Sequence, residues 1–289
     1  MSATTDAATA LDAATLRDAL PAAARARCAA IEVLAEIDST NSELLRRRTP
    51  ERGIVALFAE RQSGGRGRQG RRWASPPGAN LYLSLARGFD GALARLGGLS
   101  LAVGVAVAEA LRDLGASGVA LKWPNDLVVD DGSVLRKLGG ILVEAGLQDG
   151  RSRAVIGLGL NLRMPAEAAA AIDQPWTDLH ALLGSAAPPR ATVAVAVLAA
   201  LAEALEAFDA QGLTPFLPRF AALDALREAE VVAIDGEREI VGIACGVDAE
   251  GALRLRTAAG EIALRAGELS VRKTGLRGHR PHSDATDRA

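Results

Sequence analysis

Lysine and asparagine are scarce in this chain. Of 33 basic residues only Lys122, Lys137 and Lys273 are lysines, and asparagine occurs only at positions 41, 80, 125 and 161. A chain that uses arginine wherever positive charge will serve keeps lysine where its geometry matters, because a compact ammonium and a planar guanidinium are not interchangeable. Two of the lysines and all the asparagines fall between Asn41 and Asn161, which singles out that stretch. Cysteine is also rare: Cys28 and Cys245 lie far apart, which excludes a disulfide framework and predicts two buried free thiols in a reducing cytoplasm. Two of the three histidines, His279 and His282, sit in a polar tail and make no metal site. The formal charge of −2 and pI near 6.0 give the molecule no electrostatic footprint for nucleic acid, so no DNA partner is expected. The apolar runs at 96–108 and 191–202 read as too short for a bilayer, and the N-terminal residues lack the basic-then-apolar order of a signal peptide. A cytoplasmic location with no membrane partner follows as an expectation.

What is present is a chain of 289 residues, 49% hydrophobic, enough for a sizeable core and two domains. Residues 1–30 form an alanine-rich lead-in, with a helix near 14–20 that Pro21 stops. Residues 31–227 alternate strand and helix patterns. Strands are predicted at 31–37, 53–59, 80–85, 119–122, 127–129, 138–147 and 154–162, and Asp131-Gly132 and Asp149-Gly150 mark antiparallel hairpins. Ser39 or Thr40 caps a short helix through Arg47, and a buried helix spans 93–114. Further helices are predicted at 166–171, 177–183, 192–209 and 216–226. Residues 228–272 carry short strands separated by Asp235-Gly236, Glu250-Gly251 and Ala259-Gly260, which predicts a small all-β domain of barrel type. Residues 273–289 read as a disordered tail.

Three segments carry chemistry. Residues 61–73 hold five arginines and four glycines with no acid. Glycine lets backbone wrap a ligand closely, and guanidinium pairs bidentately with phosphate. Alone, this is equally a mobile basic loop or an RNA-touching segment. Lys122-Trp123-Pro124-Asn125-Asp126 ends a strand, and Pro124 is expected to turn the chain outward and expose Asn125 and Asp126. Lysine, asparagine and aspartate together suit a phosphate with hydrated Mg²⁺, although a plain strand-ending turn has the same composition. Lys137-Leu138-Gly139-Gly140 opens one strand and Gly157-Leu158-Gly159 lies on the next. Two strands bared by glycine can form the flat wall of a slot for a small ring, or a pair of bulges.

Together with Ser39-Thr40-Asn41, the loop Gly65-Arg66-Gly67-Arg68-Gln69-Gly70-Arg71 with Trp73, and Gly78-Ala79-Asn80-Leu81-Tyr82, these segments resemble the motifs of biotin protein ligases, in the family's order. The resemblance covers roughly residues 31–272. It implies an α+β fold: a catalytic domain with a mixed sheet like that of class II aminoacyl-tRNA synthetases, followed by a small SH3-like β-barrel. It implies ATP-dependent activation of biotin to biotinyl-5′-AMP with release of pyrophosphate, then transfer to a lysine of a biotin carboxyl carrier protein, an acetyl-CoA carboxylase subunit or similar biotin domain. Biotin and ATP are then substrates, Mg²⁺ the metal, and pairing into a homodimer is open.

By the same resemblance Ser39, Thr40, Asn41, Gln62, Arg66, Gly67, Arg68 and Lys137 match positions that hold biotin. Arg71, Trp73, Lys122, Asn125, Asp126, Asn161 and Trp176 match positions near the nucleotide, with Asp126 toward the metal. Lys137, Arg68, Lys122 and Asp126 are the candidates for catalysis. Only 38 residues precede Ser39, too few for the winged helix-turn-helix of the family's repressors, so the short form is expected. A lipoate- or octanoyl-protein ligase of the same fold is the nearest alternative, and a non-enzymatic nucleotide-binding regulator is the alternative of another class.

Overall fold

The computed structural model describes residues 10–132, 134–235, 238–266 and 270–273. It opens with two short helices, α1 (Ala13–Ala19) and α2 (Ala22–Arg27), broken at Pro21, which has no N–H to continue α1. Asp12 caps α1 by accepting from the Thr15 backbone N–H at 2.8 Å. The sequence predicts one helix and a lead-in apart from the catalytic region. Instead Leu11, Leu16, Leu20 and Ala24 are buried in the main core, and strand β1 (Cys28–Ile37) already starts at Cys28.

Next come α3 (Thr40–Arg46), β2 (Ile54–Gln62), β3 (Leu81–Phe89), a 3₁₀ turn at Leu93–Leu96, and α4 (Leu99–Asp113). The single helix predicted over 93–114 is thus two elements. Gly98 separates them at φ +76°, and a Cβ there would lie 2.5 Å from the Leu213 side chain, so the break demands glycine. Strands β4 (Val119–Lys122), β5 (Asp126–Asp130), β6 (Leu135–Gln148) and β7 (Arg151–Leu160) follow. All seven strands form one mixed sheet in the order β1-β2-β3-β7-β6-β5-β4, parallel only between β1 and β2. Both predicted hairpins are present, and Asp149 and Gly150 take the positive φ that a tight two-residue turn requires.

Helices α5 (Ala166–Ala169), α6 (Leu179–Leu183), α7 (Arg190–Gln211) and α8 (Leu217–Leu223) complete the larger unit. α4 packs on α7, and their buried residues, among them Val103, Val107, Val197 and Leu201, build the core on one face of the sheet. The helical stretch Leu93–Asp113, which Gly98 interrupts, and α7 are longer than the apolar sequence runs suggest and are long and apolar enough to cross a membrane, and about half of the most apolar part of each (56% and 50%) is buried inside the protein. α3 lies on the opposite face over Leu57, Ala86 and Val155, leaving the rest of that face to the site.

Strands β8 (Glu230–Asp235), β9 (Arg238–Val247), β10 (Leu253–Thr257), β11 (Gly260–Leu264) and β12 (Ser270–Lys273) form a five-stranded antiparallel sheet in the order β11-β10-β9-β8-β12. Among the described residues no ladder joins β11 to β12, so the expected barrel is not closed by hydrogen bonds. This sheet is tied to the β4–β5 hairpin: Trp123 Nε1 donates to the Gly251 carbonyl at 3.0 Å, and Lys273 Nζ meets Asp130 at 3.1 Å. Cys28 is buried, and burial pushes its thiol pKa up, but Cys245 on β9 is only half-buried, against expectation. Gly236 of the predicted Asp235-Gly236 turn, and the tail 274–289 with His279 and His282, lie outside the described residues.

Candidate active site

Side chains alternate between faces along a strand, so cross-strand register decides which residues meet. One row on the site face runs through Ala59, Tyr82, Gly159, Gly140, Asp126 and Lys122, each paired with the next. The neighbouring row holds Leu57, Ser84, Gly157 and Leu142, and the one beyond it ends on Val155 and Glu144. Glycine thus leaves the middle of the face bare. A Cβ on Gly159 would lie 2.4 Å from the Trp73 indole, one on Gly157 2.5 Å from Asn41 Oδ1, and one on Gly140 3.2 Å from Lys137 Cε. Those three side chains line a wall that any larger residue would push away. Gly139 faces the other way, toward Leu127 and Leu160.

The β4–β5 hairpin corrects one expectation. Pro124 does not expose the residues after it: Trp123 and Pro124 are buried, and Asn125 and Asp126 are half-buried. The Trp123 indole packs in the core, and Asn125 is stitched to β6, its Nδ2 donating to the Ile141 carbonyl at 2.7 Å. Asp126 therefore stays on the sheet, and its Oδ1 sits 2.7 Å from Lys137 Nζ. Leu127 pairs with Gly139 and Val128 with Lys137, so Leu138 is the extra residue of a bulge beside Lys137, the kind of irregularity that re-aims a side chain. Lys137 also lies 5.4 Å from the centre of the Trp73 ring, in cation–π range. Its backbone exchanges hydrogen bonds with Pro175 and Thr177, bringing Trp176 alongside. Asn161 reaches the same segment, with Nδ2 donating to the Thr177 carbonyl at 3.1 Å while its Oδ1 is buried without a hydrogen-bond partner.

The arginine–glycine loop is itself a small hairpin, in which the Gly67 N–H donates to Arg71 and the Trp73 N–H to Gly65. Arg68 Nη1 donates to Asn125 Oδ1 at 3.1 Å and Nη2 to the Ala266 carbonyl at 3.3 Å, linking loop, hairpin and C-terminal sheet. Arg66 forms a 2.6 Å pair with Glu144. Arg71 is exposed and donates to Gln69 at 2.8 Å. At the other end Ser39 caps α3, Thr40 donates from N and Oγ1 to Gln62 Oε1, and Asn41 Nδ2 donates to Glu144.

Electrostatics follow from this crowding. Burial holds the Lys122 pKa below the ordinary lysine value, opposed by Asp126 and reinforced by Lys137, Arg272 and Arg71. Burial likewise lowers Arg68. Several cations around one carboxylate, against a wall on which Trp73, Asn41 and Lys137 pack, constitute an anion site. No cluster of three or more metal-ligating side chains exists among the described residues. Asp126 as the one acid among those cations suits a Mg²⁺ held jointly with substrate phosphates, and does not suit a resident metal centre.

Ser84, Ser75, Glu144 and Arg272 also belong to the site, though the sequence does not single them out. The only signal that could have found Ser84 and Glu144 is strand alternation, which places them on the glycine-bared face once the register is known.

Residues 33–161 match the model of the biotin/lipoate A/B protein ligase family, and residues 229–272 match the biotin protein ligase C terminal domain. The bifunctional ligase/repressor BirA of Escherichia coli is 42% identical over 246 residues, 82% of this chain and 75% of that protein. The biotin–[acetyl-CoA-carboxylase] ligase of Mycobacterium tuberculosis is 34% identical over 251 residues, 83% of this chain and 88% of that one. A solved structure of a biotin protein ligase from Aquifex aeolicus in complex with biotin and ATP superposes with a TM-score of 0.71 at 28% identity, covering 85% of this chain and 100% of that chain. The chain belongs to the biotin protein ligase family.

Proposed function

We propose that this chain is an ATP-dependent biotin–protein ligase working in two steps within one site. A biotin carboxylate oxygen attacks the α-phosphorus of ATP, the bond to the β-phosphate oxygen breaks, and pyrophosphate leaves biotinyl-5′-AMP. The ε-amine of an acceptor lysine then attacks the acyl carbon, loses its proton, and expels AMP as the amide forms. The acceptor is a biotin carboxyl carrier domain.

The observation that carries this reading is the placement of Lys137 between Asp126 and the glycine wall, with Arg68, Lys122 and Arg272 around it. Bringing a carboxylate to a phosphate sets like charges together, and fixed cations offset that repulsion without reorganising. In this assignment Ser39, Thr40, Asn41, Gln62, Arg66, Gly67 and Arg68 hold the biotin ring. Lys137 contacts the carboxylate and the phosphate. Arg71, Trp73, Lys122, Asn125, Asp126, Asn161 and Trp176 surround the nucleotide. Mg²⁺, held by Asp126 and phosphate oxygens, would neutralise charge on the triphosphate. Residues 31–227 with the docked lead-in carry this site, and 228–272 contribute Ala266 and Arg272 at its rim. A cytoplasmic enzyme that binds neither DNA nor membrane completes the reading, and pairing through a sheet edge is its open oligomeric question.

ATP–pyrophosphate exchange with biotin, lipoate and octanoate offered separately tests it. Biotin alone should drive exchange, and the protein should then label an isolated carrier domain. Exchange with lipoate but not biotin would transfer the chain to the lipoate branch. Retention of duplex DNA in a filter-binding assay without any exchange would make it a regulator.

A further inference from the structure

Glu144 is a carboxylate on the face of a site that, on the reading above, receives two anions. Both of its oxygens are engaged. Arg66 Nη2 and Nη1 approach them at 2.6 and 3.2 Å in a bidentate pair, and Asn41 Nδ2 donates to Oε2 at 2.9 Å. From Asn41 the polar contacts continue along the wall. Asn41 Oδ1 and Thr40 Oγ1 each lie 2.7 Å from Ser84 Oγ. The Thr40 backbone N–H donates to Gln62 Oε1 at 2.9 Å, Gln62 Nε2 donates to Ser75 Oγ at 3.1 Å, and Ser75 donates to the Trp73 carbonyl at 3.1 Å. One hydrogen-bonded line therefore starts at Arg66, near the beginning of the arginine–glycine hairpin, and returns to it at Trp73.

The polarity of that line is set at Glu144. An ionised carboxylate only accepts, so it holds the Asn41 amide with Nδ2 toward itself and Oδ1 toward Ser84 and Gly157. The same carboxylate pins the arm of the hairpin that carries Arg66. Bidentate guanidinium–carboxylate pairs add geometric definition to charge, which suits a clamp.

We propose that Glu144 is a positioning residue for the ring end of biotin, orienting the Asn41 amide and anchoring Arg66 so that the polar surface facing the ring is set before the ligand arrives. The proposal rests on the biotin ligase reading for its ligand, but the clamp itself exists without one. Glu144→Gln keeps the size and one acceptor while losing the charge pair and the fixed polarity.

Two readouts test this. In the ligand-free protein, trypsin should cut after the arginines of 66–72 about tenfold faster in Glu144→Gln than in the parent, since losing a charge-assisted hydrogen bond is worth about that factor. In biotin-dependent pyrophosphate exchange, the KM for biotin should rise about tenfold while the KM for ATP and kcat move less than about twofold. Arg66→Gln should release the hairpin equally, and the double variant should cleave no faster than either single one, which keeps the test open if Glu144→Gln folds poorly. Unchanged trypsin cleavage together with an unchanged biotin KM overturns the proposal, as does a KM rise shared equally by ATP. If the parent shows no biotin-dependent exchange, the ligase reading fails, and the ligand-free cleavage still decides whether the clamp exists.

Discussion

The Lys137 ammonium sits 2.7 Å from the Asp126 carboxylate and against the face of Gly140, whose missing Cβ would come within 3.3 Å of the same nitrogen. The position is narrow as well as charged. A guanidinium is wider and planar, so Lys137→Arg should be nearly as damaging as Lys137→Ala, each lowering kcat roughly 10²-fold with a smaller rise in KM for biotin. Exchange kinetics on both variants check this. Full activity in Lys137→Arg would falsify the geometric argument and the use of lysine scarcity as a pointer to the site.

Gly159→Ala should cost binding and not folding. Its φ lies outside the left-handed region, so the backbone accepts alanine, but the new methyl would meet the Trp73 indole. Displacing the ring, which the assignment above sets beside the nucleotide, should weaken ATP binding about 10–100-fold, the equivalent of the strain of one inserted methyl. Calorimetric titration with ATP measures it, and affinity equal to that of the parent would show that Trp73 does not line the nucleotide site.

Lys122 should be a residue that lowers stability while serving function. Burial depresses its pKa, so the folded chain holds that proton less tightly than the unfolded chain does. The penalty is full below the lowered folded pKa and is relieved as pH rises from there to the ordinary lysine value. Lys122→Met should therefore raise Tm at neutral pH, by about 2–4 °C for each kcal/mol recovered, and abolish ATP-dependent exchange. The gain should shrink in scans run near the ordinary lysine pKa. A Tm that falls at neutral pH would contradict the assignment.

The lead-in should behave as core. Leu16 is 1% exposed and packs within the main cluster, while the Leu11 N–H donates to Glu60, which pairs with Arg190 at the start of α7. Leu16→Ala should destabilise by about 2–5 kcal/mol, read from urea unfolding. A change within measurement error would return residues 10–27 to the status of an appendage.

Much of the site was legible as sequence because its parts are local. A cap such as Ser39, a loop of alternating arginine and glycine, a turn closed by Pro124 and strands bared by Gly140 and Gly159 each follow from neighbouring residues and their conformational preferences. The same locality exposed the hairpin at Asp149-Gly150 and the change to short strands after residue 227.

Contacts between distant segments override local preference at two places. The predicted outward turn at Pro124 is held inward by Trp123, whose partner Gly251 lies in the turn between β9 and β10. The predicted helix over 93–114 breaks where Gly98 takes φ +76°, a position that Leu213 leaves no room to fill with a side chain. Sequence by itself determined the residue types, the order of strands and helices, and the few lysines on which the proposed chemistry is placed. Only the tertiary structure decided that Gly140 faces Gly159, that a bulge turns Lys137 toward Asp126, and that Glu144 joins Arg66 to Asn41. Cross-strand register is set by packing over the whole sheet, and a slip of one residue would send every one of those side chains to the opposite face.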